Sequence, residues 1–181
     1  MTDEKKEPWM NVLAMATVVL AVLATLSNFK GSGFSTRSVL AQAQASDNWA
    51  YYQAKSIKGY MYEIQRDKMK LDVKVMESQP GAPAAQAEEL RKLIDSYTQK
   101  IAKYDDEKAK IQQDAKKLEE SRDEARKHSQ SFGVALIYFQ IAILISSIAA
   151  FMKKKIIWYL GLLVSLPGFF YFVNGFLLIT K

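Results

Sequence analysis

The chain lacks the residues from which most catalytic and metal sites are built. Its 181 residues contain no cysteine and a single histidine, His128. The absence of cysteine excludes disulfides, thiolate catalysis and cysteine-ligated metals. The longest acidic run, Asp105 to Glu107, does not converge on one ion, because neighbouring side chains on a helix point in different directions. We therefore expect no cofactor, no metal and no catalytic residue, and we interpret the protein as not being an enzyme.

Charged residues are missing from three long stretches, residues 9–29, 129–152 and 156–180. Each stretch has about 20 residues or more, which as a helix is enough to cross the ~30 Å hydrocarbon core of a bilayer. We predict three transmembrane helices over these ranges, with the lipid bilayer as their surroundings. An Ala-x-Ala pattern at 41–46 lies too far beyond the first stretch for signal-peptide cleavage, so we expect an uncleaved anchor.

The loop between the second and third predicted spans consists of Lys153, Lys154 and Lys155. Short loops rich in lysine remain in the cytoplasm. This rule predicts a cytoplasmic N-terminal tail at 1–8 and places residues 30–128 on the opposite side, which is the periplasm in a Gram-negative bacterium.

Other residues near the membrane bear on this topology. Lys30, Arg126 and Lys127 flank the long segment and favour the reverse orientation, but long translocated segments weigh less in the rule. Aromatic residues gather on the side of the three lysines, where we expect a belt at the membrane interface. They are Trp9, Phe151, Trp158 and Tyr159.

Residues 30–128 carry apolar residues at alternating steps of three and four, the heptad pattern of a seam between two helices. The first series is Ala50, Ala54, Ile57, Met61, Ile64, Leu71 and Val75, with Lys68 in the missing step. The second is Ala87, Leu90, Ile94, Tyr97, Ile101, Tyr104, Ile111, Ala115, Leu118 and Ala125, with Lys108 and Arg122 in the gaps. Between them, SQPGAP at 78–83 favours a chain reversal. The sequence therefore predicts an all-α membrane protein in which a long antiparallel coiled-coil hairpin separates the first and second spans.

The two arms of this hairpin differ in how they meet the predicted spans. KGSG at 30–33 predicts a joint after the first span, with Ser35 or Thr36 capping the helix that follows. No helix breaker precedes Phe132, so we expect the second arm to continue directly into the second span.

The stretch WAYYQAKSIK at 49–58 places large aromatic residues beside two lysines. If the first series forms the seam, Trp49 and Tyr52 point away from it, and Tyr51, Lys55 and Lys58 form a neighbouring stripe. Exposed aromatic patches are typical of protein contact surfaces. We predict that these five residues form an interaction surface. Packing of Trp49 within its own chain and a ligand site are the alternatives.

The same motif carries a resemblance. ASDNWAYYQAKSIK at 45–58, after one N-terminal span and before two C-terminal spans, resembles a bacterial family of three-span membrane proteins classed only as a domain of unknown function. The resemblance covers nearly the whole layout of the chain and implies an inner-membrane protein with a coiled middle. It implies no activity and no site residues.

Within the predicted spans, small residues recur at positions that a seven-residue repeat brings to one face, which favours close helix packing in lipid. They are Ala14, Thr17, Ala21 and Ala24; Ala135, Ala142, Ser146 and Ala149; and Gly161, Ser165, Gly168 and Gly175. The spans hold two amides, Gln140 near mid-bilayer and Asn174. We expect Gln140 to bond between helices or to line a pore in an oligomer. Pro167 predicts a kink in the third span.

Three functions remain open at this point. The preferred hypothesis is a homo-oligomeric structural protein of the bacterial inner membrane. The alternatives are an oligomeric channel lined by Gln140 and Asn174, and an accessory subunit of a larger membrane complex. The net charge is +6, but the segment 30–128 holds 19 Lys/Arg against 16 Asp/Glu, a surface of mixed sign, so we expect no nucleic-acid partner.

Overall fold

The computed structural model describes residues 8–79 and 84–179, and in these ranges every regular element is an α-helix. Helix α1 spans Pro8–Glu77, α2 spans Ala84–Met152 and α3 spans Lys155–Leu177. The predicted all-helical fold is confirmed for this part of the chain. The tail at 1–7, the centre of the predicted turn at 80–83, and residues 180 and 181 lie outside the described residues.

The chain divides into two compact units. One, which we call the apolar unit, comprises Met1–Leu40 and Ser121–Lys181, and the other, the hairpin unit, comprises Ala41–Glu120. Each of the three helices contains a stretch long and apolar enough to cross a membrane. At most 28% of the residues in these apolar stretches are buried, so most of this apolar surface faces outward.

Helix α1 contains no joint after the first apolar stretch, so the prediction of a break at 30–33 was wrong. The glycine at 31 serves close packing instead. A Cβ on Gly31 would lie 3.2 Å from the Cβ of Phe132, and the Ser129 hydroxyl donates a 3.0 Å hydrogen bond to the Gly31 carbonyl. Thr36 does not cap a new helix, because its hydroxyl donates to the Ser32 carbonyl one turn back within α1.

Helix α2 continues without a break into the second apolar stretch, as the sequence predicted. It ends at Met152, and the short connection to α3 begins with Lys153, which has a left-handed backbone with φ of 52°. The amide of Lys154 returns to the Ala149 carbonyl and so satisfies part of the end of α2.

The core of the apolar unit forms where small residues allow the helices to approach closely. The predicted stripes of α2 and α3 are buried throughout: Ala135, Ala142, Ser146 and Ala149, and Gly161, Ser165, Gly168 and Gly175. The predicted stripe of α1 was only partly right. Ala24 is buried, but Ala14 and Ala21 are exposed, and Leu13 and Leu20 take the inner positions.

Aromatic rings fill the space that the glycines of α3 leave. A Cβ on Gly168 would lie 2.9 Å from the ring of Phe139, and a Cβ on Gly175 would lie 2.9 Å from the ring of Phe132. Both phenylalanines are fully buried. Any side chain at these glycines must therefore displace a ring from a packed interior.

We expect Gly168→Ala to destabilise the protein by about 1–3 kcal/mol, the usual cost of overpacking a tight interior. The measurement is the thermal midpoint of unfolding of the detergent-purified chain. Gly133→Ala is the matched control, because a Cβ at Gly133 meets nothing within 4 Å. Equal midpoints for the two variants would contradict this account of the packing.

Candidate functional site

In the hairpin unit, α1 and α2 pack against each other in opposite directions. Trp49 contacts Glu119, Lys55 contacts Glu107, and Glu77 near the end of α1 contacts Arg91 near the start of α2. The partner's number falls as the α1 number rises, which identifies an antiparallel helical hairpin.

The face that α2 turns to α1 is the predicted one. Ile101 and Ala115 are buried, and the remaining members of the predicted series in this unit are half-buried. Lys108, which fills a gap in the series, is also half-buried, so the cation does occupy a place in the packed face.

The face that α1 turns to α2 is not the predicted one. The aliphatic members of the predicted seam are all more than half exposed: Ile57, Met61, Ile64, Leu71 and Val75. We call these five residues the open stripe. Ala45, Gly59 and Val73 are buried in their place. The prediction failed because α1 carries two stripes at heptad spacing, and the one that packs contains small residues, Ala45 and Gly59, as well as Val73.

Gly59 shows why the less apolar stripe packs. A Cβ at this position would lie 3.8 Å from the Cβ of Tyr104, so the glycine lets a tyrosine of α2 approach the α1 backbone. Tyr62 then stacks on Tyr104 and meets Tyr97 edge to face, with ring centres 5.7 and 5.1 Å apart. Aromatic pairs of this kind add to the free energy gained from area burial alone.

Trp49 also faces α2, and the prediction that it points away from the second helix was wrong. Its indole N–H donates a 2.9 Å hydrogen bond to the carboxylate of Glu119. Tyr52 packs edge to face on the indole at 5.6 Å between ring centres. The alternative of packing within the chain therefore holds for Trp49, and in the predicted surface only Tyr51 and Lys58 are exposed.

Lys55 lies at the centre of a polar cluster that joins α1 and α2. Its ammonium is 2.5 Å from a carboxylate oxygen of Glu107 and 5.3 and 5.2 Å from the ring centres of Tyr51 and Tyr104. The hydrogen bond to Glu107 raises the pKa of Lys55 above its ordinary value, and the same bond lowers the pKa of Glu107.

Two further lysines repeat this arrangement, and the sequence predictions did not include them. Lys100 lies over the rings of Tyr62 and Tyr97, and Lys108 lies over Tyr60 while pairing with Asp105 at 2.7 Å. The hydrogen bond to Asp105 raises the pKa of Lys108. The signal in the sequence was the recurrence of tyrosines on α1 opposite lysines on α2, which becomes visible only when the register is known.

The two amides of the apolar stretches are not brought together within the chain. Asn174 is buried, and its side-chain NH₂ donates a 3.1 Å hydrogen bond to the Ser131 hydroxyl. Gln140 is exposed on the surface of α2. A lining shared by both amides is therefore absent from the single chain.

The lysine connection lies beside the predicted aromatic residues. The rings of Trp9 and Trp158 are 6.3 Å apart, and the Lys155 ammonium lies 5.9 Å from the centre of the Trp9 ring. Tyr159 packs on Trp158, and Phe151 is almost fully exposed. With Ala149, which is buried in the same cluster as the two tryptophans, these contacts join the start of α1, the end of α2 and the start of α3 at one end of the apolar unit.

The described residues contain no group of three acidic, histidine or cysteine side chains that could hold a metal ion. His128 is engaged in packing: its Nδ1 lies 2.8 Å from the Gly175 carbonyl, and its ring stacks on Phe34 at 4.4 Å. Because the carbonyl accepts, Nδ1 carries the proton.

We expect Glu107→Gln to lower the thermal midpoint at pH 7 by about 1–2 °C, because it removes the charge that Lys55 faces. The hydrogen bond from Lys55 holds the folded-state pKa of Glu107 below its ordinary 4.5, so the pair contributes fully above that pH and the difference from wild type shrinks as the pH falls below it. Asp106→Asn, an exposed neighbour, is the control and should change the midpoint at neither pH. A pH-independent effect of Glu107→Gln would show that this ion pair is not the cause.

Comparison with known proteins gives a family without an assigned activity. Neither the curated proteins nor the solved structures yielded a match to this chain. One family model, described as Domain of unknown function (DUF4337), matches residues 9–178, which include the first two apolar stretches, nearly all of the third, and the hairpin unit. With nearly its whole length matched, the chain belongs to this family of domains of unknown function.

Proposed function

We propose that the protein is a non-enzymatic structural component of the bacterial inner membrane that assembles with copies of itself. The observation that carries this proposal is the open stripe on α1, an aliphatic heptad seam that has no covering helix among the described residues.

Membrane insertion is supported by the exposed apolar surface of the three helices. In water, apolar surface on this scale would cost about 25 cal/mol for each Å², whereas in lipid it is at no disadvantage. The polar backbone is satisfied inside the helices, which is the requirement for crossing the hydrocarbon core.

The open stripe belongs to a different environment, because it alternates with charged residues. Ile57 and Ile64 are 60% and 70% exposed, yet Lys58 and Glu63 stand directly beside them. Aliphatic residues at alternating steps of three and four on a polar helix are typical of the seam of a coiled coil. The helix that would complete this seam is not α2, because α2 packs on the other face of α1.

A second copy of α1 fits this seam. Copies inserted with one topology in one membrane point the same way, so their α1 helices meet in parallel and each seam residue faces its own counterpart. Lys68 then interrupts the seam at one step, and a single cation at such a position fixes register and subunit number at a cost in stability. Tyr51 and Lys58 flank the seam, which retains part of the predicted interaction surface.

Gln140 supports the same conclusion from the apolar unit. A side-chain amide exposed on an apolar helix surface lacks water to bond when that surface meets lipid. Association of copies gives the amide a partner, since side-chain amides hydrogen-bond across helices in membranes. Asn174, which is already bonded to Ser131, does not need one.

We expect Ile64→Cys to form a disulfide-linked dimer when isolated membranes are oxidised with copper phenanthroline. The natural chain has no cysteine, so the introduced thiol is the only one present. Thr98→Cys, at an exposed position of α2, is the control and should remain monomeric. Equal yields from both positions, or no dimer from Ile64→Cys, would overturn the parallel seam.

Native mass spectrometry of the complex extracted with its lipids should give a whole-number multiple of the chain mass. Ile64→Glu should reduce that mass to the monomer, whereas Leu93→Glu, a half-exposed leucine of α2, should not. A mass that requires a different protein would support the accessory-subunit hypothesis instead.

We further propose that Lys153, Lys154 and Lys155 lie in the cytoplasm and that the hairpin unit lies in the periplasm, as expected from the positive-inside rule. Thr98→Cys should react with a membrane-impermeant maleimide on spheroplasts of the host. Lys154→Cys should react only after lysis. The reverse labelling pattern would show that the hairpin unit is cytoplasmic, and it would not bear on the proposed oligomer.

A further inference from the structure

A groove of about 420 Å³ lies along α1 directly after its first apolar stretch. Phe29, the last residue of that stretch, lines the groove. Lys30 and Arg37 also line it, with Gly33 between them in sequence. Lys30, Gly33 and Arg37 follow one another at steps of three and four, so the helix places all three on one face.

Gly33 gives the groove its depth. A Cβ at this position would meet nothing within 4 Å, so no described part of the chain fills the space next to the glycine backbone. This distinguishes Gly33 from Gly31, which faces Phe132 in the core of the apolar unit. The hydroxyls of Ser32 and Thr36 border the same space.

The two cations of the groove have no carboxylate partner among the described residues. Lys30 contacts only the ring of Phe176 at 6.0 Å, and Arg37 is exposed. Some basic residues elsewhere in the described chain do have an acidic partner, as Lys55 has Glu107 and Lys108 has Asp105. Because Lys30 and Arg37 border one open space and no described acidic side chain neutralises them there, this space suits an anion from outside the chain.

We infer that this groove binds the phosphate of an anionic phospholipid. The inference rests on the proposed membrane insertion, since only then do residues 30–37 lie at the level of the lipid headgroups. Arg37 offers the planar donor geometry that suits phosphate oxygens, and Lys30 supplies a compact charge. Phe29, 73% exposed, contacts the acyl chains of the same lipid, which is why a lipid phosphate fits better than a free one.

The test is native mass spectrometry of the detergent-purified full chain titrated with phosphatidylglycerol or with phosphatidylcholine. We expect wild type to retain phosphatidylglycerol preferentially. The double variant Lys30→Gln/Arg37→Gln should bind it about ten-fold more weakly or worse, since each cation near a lipid surface contributes to attraction. Lys92→Gln/Lys116→Gln, which removes two exposed cations of α2, is the charge-matched control and should bind as wild type does.

Gly33→Leu separates a shaped groove from general attraction between charges. It adds a side chain to the open space without changing any charge, and its Cβ meets nothing within 4 Å, so we expect the variant to fold with a thermal midpoint at or above that of wild type. We expect it to lose phosphatidylglycerol as the double variant does. Wild-type binding by Gly33→Leu, or equal retention of both lipids by wild type, would overturn the groove.

Inorganic phosphate distinguishes the two sources of the anion. If it displaces phosphatidylglycerol at similar concentration, the site recognises free phosphate and the lipid assignment is wrong. The same spectra report subunit number, and alkaline carbonate extraction of membranes reports insertion. If the wild-type protein is inserted and oligomeric but does not prefer phosphatidylglycerol, lipid binding by the groove is refuted. The proposed function is then not affected.

Discussion

The structure depends on a constraint that acts on α1: one helix carries two stripes at heptad spacing, and within the chain α2 covers only one of them. The covered stripe contains Ala45, Gly59 and Val73, while Ile57, Ile64 and Leu71 stay exposed. If hydrophobicity alone decided which stripe packs on α2, the exposed stripe with Ile57, Ile64 and Leu71 would be the covered one. The stripe with Ala45 and Gly59 packs instead because these small residues let the large rings of α2 approach the α1 backbone. Polar side chains at the edges of this face also have specific partners on α2.

Those partners explain how the hairpin fixes its register with few buried aliphatic residues. The indole of Trp49 meets Glu119, and the Lys55 ammonium meets Glu107 between two tyrosine rings. Each such contact in partly exposed surroundings contributes little to stability. Together they penalise a slip along the helix, since a shift by one turn leaves every donor opposite a wrong residue. The aliphatic residues of the open stripe stay exposed in this arrangement.

Much of the fold followed from the sequence because it depends on local composition. Uncharged runs located the three apolar stretches, and heptad spacing located the packed face of α2 correctly. The predictions that were wrong concern positions whose packing depends on residues distant in the sequence. Whether Gly31 is a joint or a contact depends on Phe132, which lies about 100 residues away along the chain. The inward face of α1 depends on Tyr104 and Glu119, which spacing within α1 does not report. Trp49 was singled out correctly as unusual, but its direction required the register of α2.

Small residues therefore have two distinct roles in this chain, and their surroundings separate them. Gly168 and Gly175 receive the rings of Phe139 and Phe132, so their lack of a side chain is used for packing inside the apolar unit. Gly33 and Gly133 face open space, so packing does not require glycine there. In an exposed helix interior, glycine is about 1 kcal/mol less favourable than alanine. Gly33 carries this cost although packing does not need a glycine there. It lies between Lys30 and Arg37, two cations with no carboxylate partner in the described chain, directly after an apolar run. A ligand that needs the space is a physical reason for a glycine at that position, whereas at Gly133 the structure supplies none.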